Sequence, residues 1–200
     1  MVGGGVTSGT GSFIELDPTL PGFGVGQPNL EVGNDTFQNT NLYAFNEDQN
    51  IILPGTLSIG GAVLAAGNVV ASHYVFFDPA GSASQTGFVD FDADILAIAG
   101  DTADLSATDF LLNNLVTYLN PTLRGLEAGD SATVDATDMK RLLVDWRAST
   151  PGDYVRVFTA QSTSGPDPRD PDPLNPVPLP AGGALLLSAL GLLALKRKRV

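Results

Sequence analysis

The sequence predicts a mainly β protein, with an antiparallel β-sandwich or jelly-roll-like body over residues 31–160. Three observations carry that expectation. Short apolar runs rich in Val, Ile, Phe and Tyr recur along the stretch, most of them too short for an ordinary helix. Turn-forming pairs separate them, among them Pro54-Gly55, Asp78-Pro79, Asn120-Pro121 and Gly129-Asp130. The chain also holds 23 Gly and 14 Pro with only 16% charged residues, a mix that suits strands and turns better than long surface helices.

Residues 1–30 are rich in glycine and lack a sustained period, so they read as a flexible segment. The spaced glycines of "GFGVGQ" (22–27) have no strand before them and no helix pattern after them, and do not make a dinucleotide loop. Strands are expected over 41–47, 50–53, 56–59, 68–78, 86–99, 115–119, 130–135, 139–146 and 153–160. One short helix is expected behind Ser106. Its hydroxyl would cap the helix with Asp109 three residues on, and Phe110, Leu111 and Leu112 would form the apolar face. Alternation assigns the inward sides. Leu142, Val144 and Trp146 point one way, and Arg141, Asp145 and Arg147 the other. Val89, Phe91, Ala93 and Ile95 likewise oppose Asp90, Asp92 and Asp94.

Charge narrows the partners. The formal net charge is −12, but Lys196, Arg197, Lys198 and Arg199 sit together at the C-terminus. Without these four the chain has 6 basic and 22 acidic residues, a net of −16. Such a body lacks the Lys/Arg needed to replace phosphate counterions, which argues against nucleic acid, and it is repelled by anionic lipid. There is no cysteine, hence no disulfide framework and no thiolate metal site.

Candidate chemistry is sparse. Asp90, Asp92 and Asp94 offer three carboxylates on one strand face, but Ile95 and Asp101 stand where an EF-hand loop needs Gly and Glu. A solvated face is the expectation and a calcium site the alternative. His73 is the single histidine and is read as structural. "GTLSIG" (55–60) does not have the spacing of a nucleophile elbow. Tyr43, Tyr74, Tyr118, Trp146 and Tyr154 would stack on sugar rings if exposed, although aromatics at strand spacing are usually core.

The C-terminal part is more explicit. Residues 161–180 carry Pro at 166, 168, 171, 173, 176, 178 and 180, a density that excludes helix and favours an extended linker. Residues 181–195 lack any charge, and Ser188 is their only polar side chain. As a helix they would reach about 22 Å, short of a ~30 Å hydrocarbon core, with the basic stems of 196–199 extending the reach. Leucines surround this helix, which makes it a transmembrane rather than a surface helix. The basic cluster, residues 196–200, would stay cytoplasmic and leave the body on the other side.

Val177-Pro178-Leu179-Pro180-Ala181, the apolar helix and Lys196-Arg197-Lys198-Arg199 stand adjacent and in that order. Together they resemble a PEP-CTERM sorting signal of the VPLPA variant. The resemblance covers the last two dozen residues. It implies recognition at Val177–Ala181 by an exosortase-type membrane protease of a bacterium that makes exopolysaccharide. It further implies cleavage near that motif and delivery of the body to the cell surface or medium. "SHYVFFDP" and "PGDYVRVFT" are similar to segments of uncharacterised proteins carrying such tails. The opening residues lack a basic n-region and an apolar run, so a signal peptide is expected upstream. The expectation is therefore an exported surface or matrix protein with a structural or adhesive role, not an enzyme and without a cofactor. The alternatives are an exopolysaccharide-binding module and a secreted hydrolase using a carboxylate pair.

Overall fold

Why β8 (Val69–Phe77) is apolar on both sides explains the architecture. Every residue of this strand is buried, because the sheet it centres is covered on both faces. A computed structural model describes residues 1 and 3–163, all within one compact unit. They fold into a mainly β body of antiparallel and mixed sheets. The larger sheet has the order β10 (Ile95–Ala99), β14 (Asp153–Ala160), β8, β4 (Leu42–Asn46), β2 (Phe13–Glu15), and β5 (Ile51–Ile52) also pairs with β8. The smaller sheet has the order β1 (Gly3–Ser8), β9 (Ala83–Asp90), β13 (Asp138–Ala148), β12 (Ser131–Asp135).

The two sheets face each other across one apolar cluster. Val75, Phe77, Val155 and Val157 from the large sheet meet Val89, Leu142, Val144 and Trp146 from the small one. This arrangement is consistent with the expected sandwich. The opposite face of the large sheet is aromatic. Tyr43, Phe45, Tyr74, Phe76, Tyr154 and Phe158 lie there beneath an irregular layer carrying Phe23, Phe37, Ile59, Leu105 and Leu111. Short elements build that layer: β3 (Glu31–Val32), the hairpin β6 (Leu57–Ile59) with β7 (Ala62–Leu64), the helix α1 (Thr102–Ala107) and β11 (Thr117–Tyr118).

Four expectations are corrected. Residues 1–30 are not a loose segment. They supply β1, β2 and the buried Leu16 and Phe23. The sheets are not wholly antiparallel, since β2–β4 and β3–β11 pair in parallel. The run 86–99 is two strands. β9 ends at Asp90 in the small sheet and β10 begins at Ile95 in the large one. Inward parity survives the crossing, with Val89, Phe91, Ala93 and Ile95 all buried, which is why periodicity read them as one strand. The helix starts earlier than expected. Asp101 caps it by accepting the Asp104 N–H at 2.8 Å, while Ser106 lies inside it and Asp109–Leu111 form a 3-10 turn. The alternation in β13 is as expected, with Leu142, Val144 and Trp146 buried and Asp145 and Arg147 exposed.

Candidate functional site

Arg156 sits in the middle of β14 and Glu47 one residue past β4, and neither side chain is exposed to solvent. Arg156 donates from Nε to Glu47 Oε2 at 2.6 Å and from Nη2 to Oε1 at 3.0 Å. The same carboxylate accepts the Tyr118 hydroxyl at 2.8 Å and the Ser72 hydroxyl at 2.7 Å. Arg156 Nη1 reaches the end of α1, donating to the Leu105 carbonyl at 2.9 Å and to Thr108 Oγ1 at 2.7 Å. Asp109 lies next in line and accepts both prongs of Arg124 at 2.9 and 2.7 Å. A buried charge needs this degree of pairing to be tolerated. Burial works against the Arg156 charge, yet Glu47 holds its pKa above the ordinary guanidinium value. Burial, with the Glu47 charge, pushes the Tyr74 and Tyr118 phenols up, so both stay protonated.

A cleft of about 570 Å³ opens beside this network, lined in part by Glu15, Asp17, Thr19, Asn46, Glu47 and Asn113. Asp17 accepts both the N–H and the hydroxyl of Thr19, at 2.9 and 2.6 Å, which holds its carboxyl below the usual range. Asn113, also on the lining, donates to the carbonyls of Asn46 at 3.3 Å and Glu47 at 3.4 Å. Glu47 has both oxygens filled and no lone pair left to take a proton from a bound molecule. The polar groups lining the cleft are thus largely committed to the fold itself, and Glu47 is not offered to a bound molecule.

The residues singled out in the sequence do not converge here. Tyr43, Tyr74, Trp146 and Tyr154 are at most 3% exposed, and Tyr118 commits its hydroxyl to Glu47, so these five rings form no stacking platform. Their alternation belongs to the two cores. His73 is wholly buried, with ring nitrogens on Asn46 Oδ1 at 2.8 Å and Thr159 Oγ1 at 3.1 Å and its ring 4.7 Å from that of Phe91. Burial lowers its pKa to about 3, so it is a neutral structural ring. The three aspartates part company. Asp90 pairs with Arg141 at 2.7 Å, Asp92 accepts from the Ser162 hydroxyl, and Asp94 is exposed in the turn before β10. Among the described residues no three His, Cys, Asp or Glu side chains are grouped to hold a metal ion. The motif Val177–Ala181, the transmembrane helix and Lys196–Arg199 lie outside the described residues.

Sequence reasoning missed the Glu47–Arg156–Asp109–Arg124 network. The available signal was Arg156 itself, a cation inside "DYVRVFTA", which demands a buried anion somewhere in the fold. Two further buried carboxyls were also missed. Asp78, at the end of β8, is raised to about 6 by burial, and Asp153, at the start of β14, to about 7 by burial and the charges of Asp130 and Glu127. No family model, curated protein or solved structure matches this chain.

Proposed function

We propose that this chain is an exported β-sandwich protein of a bacterial surface or extracellular matrix, with a structural or adhesive role. One observation carries the reading: the adjacent, ordered trio of Val177–Ala181, an uncharged apolar stretch and Lys196–Arg199. In this reading residues 181–195 insert in the membrane, the basic cluster holds their end in the cytoplasm, and an exosortase-type protease cuts near Ala181. The protein is the substrate of that chemistry. Release leaves a body with a large excess of acidic residues, which keeps it soluble and apart from other anionic polymers. The body supports the reading in a second way. Its four linked ions, Glu47, Asp109, Arg124 and Arg156, come from four separate parts of the chain and pair with one another, which favours rigidity over a reactive group.

Mass spectrometry of the C-terminus, on protein from the envelope and the medium of the producing cells, tests the proposal. The expected result is loss of the residues beyond about Ala181 in the released protein. Intact chain ending at Val200 and confined to the membrane overturns the cleavage. Replacement of Val177–Ala181 by an unrelated linker is expected to trap the protein in its uncut form.

A further inference from the structure

Asp78 leaves the end of β8 with its carboxylate wholly buried. The loop 33–39 wraps it. The Phe37 N–H donates to Asp78 Oδ2 at 3.0 Å, the N–H groups of Gln38 and Thr36 also face the carboxylate, and the Asn39 N–H donates to the Asp78 carbonyl at 2.9 Å. The other carboxylate oxygen, Oδ1, receives no hydrogen bond. Two more oxygens on the same loop share that condition. Asp35 Oδ1 and Thr36 Oγ1 are buried atoms without a partner. Asp35 is close enough that its charge helps raise Asp78. The far side is closed by the turn into β14, where a Cβ on Gly152 would stand 3.1 Å from both Asp78 Cα and the Tyr154 hydroxyl. That hydroxyl does not fill the gap, since it donates to the Pro151 carbonyl.

Three buried oxygens without a partner, two on neighbouring residues of the loop and one on the aspartate that the loop wraps, two of them from carboxylates, call for a partner that accepts electron pairs. A buried acceptor left without one is costly. The donor set is all oxygen, which selects a hard cation over zinc or copper. Ca²⁺ takes six to eight oxygen ligands in flexible geometry, which suits a set drawn from a loop and a strand end, whereas Mg²⁺ demands a near-ideal octahedron. We propose that Asp35, Thr36 and Asp78 form one side of a Ca²⁺ site, with water completing the coordination. Two carboxylates then balance the divalent charge, and the ion fastens the 33–39 loop to the ends of β8 and β14. The competing occupant is a single proton on Asp78.

The test uses the full chain, stripped with EDTA and titrated near pH 7.5. CaCl₂ is expected to give one binding isotherm by calorimetry and an upward shift in melting temperature. Tb³⁺ in place of Ca²⁺ is expected to luminesce on tyrosine excitation, because Tyr154 stands beside Asp78, and Ca²⁺ is expected to quench that signal by competition. Asp35→Asn, at a half-buried loop position, is expected to weaken binding at least tenfold, and Asp78→Asn to abolish it. Asp94→Asn is expected to leave it unchanged. No heat and no thermal shift with Ca²⁺ overturns the site. So does binding that survives Asp35→Asn intact, or an Asp78 carboxyl that titrates near 6 in NMR whether or not Ca²⁺ is present.

Discussion

Arg156 is a cation placed where the sheet is otherwise apolar, and its cost is met only because Glu47 arrives from a strand end 109 residues earlier. Removing the anion alone leaves the guanidinium buried and unpaired, which costs about 3–5 kcal/mol. Glu47→Ala is therefore expected to lower the unfolding free energy by that amount, read as a lower urea midpoint at an unchanged slope, and Glu47→Gln by less. Two other buried groups make opposite contributions to pH dependence. Asp153 is raised from 3.8 to about 7, so the folded state holds a proton the unfolded chain has released. Its contribution is fully present below pH 3.8 and is lost as pH rises through 7. His73 is lowered from 6.5 to about 3 and works the other way: its contribution is present above 6.5 and lost as pH falls toward 3. Between pH 4 and 6.5, Asp153→Asn is expected to make stability rise more steeply with pH, and His73→Gln to make it rise less or fall. Urea midpoints across that range, compared with wild type, read both slopes.

At the level of elements, the edge strand β1 is held by close approach rather than by its own side chains. A Cβ on Gly87 of β9 would stand 2.6 Å from the Gly5 carbonyl, and a Cβ on Gly4 would stand 2.7 Å from the Phe13 ring. Gly87→Val is thus expected to push β1 off the sheet. Hydrogen exchange should quicken across residues 3–8 while β13, on the other side of β9, keeps its protection. This also explains what the sequence showed and what it hid. The faces of β13 were legible because one side meets the core and the other meets water, which writes a period of two. β1 was illegible because its glycines answer to Phe13 and Phe88, residues that give no local sign of lying over it. The parallel pairs β2–β4 and β3–β11 were hidden for the same reason: strands of two or three residues carry no period. The ion network was half legible, since Arg156 announces a need for an anion and nothing near it in sequence says which one.

At the scale of the whole molecule, the large sheet is the shared wall of two cores. Neighbouring residues of β8 serve opposite sides, Phe76 facing the aromatic layer and Phe77 the inter-sheet cluster. Neither core can dissolve without exposing the sheet that closes the other, so unfolding should be one cooperative step. The chromophores divide conveniently. The only Trp, Trp146, lies in the inter-sheet cluster, whereas the four Tyr lie in or against the aromatic one. Trp fluorescence and tyrosine near-ultraviolet dichroism are therefore expected to give coincident urea transitions. Phe76→Ala and Phe77→Ala, each costing about 3–5 kcal/mol, are expected to move both signals together. A tyrosine transition that precedes the Trp transition would mean that the irregular layer of α1, β3, β6, β7 and β11 peels away on its own. The Glu47–Arg156 network argues against that outcome. It bolts the strands of the large sheet to the end of α1 from within, so the layer cannot lift without stranding a buried charge.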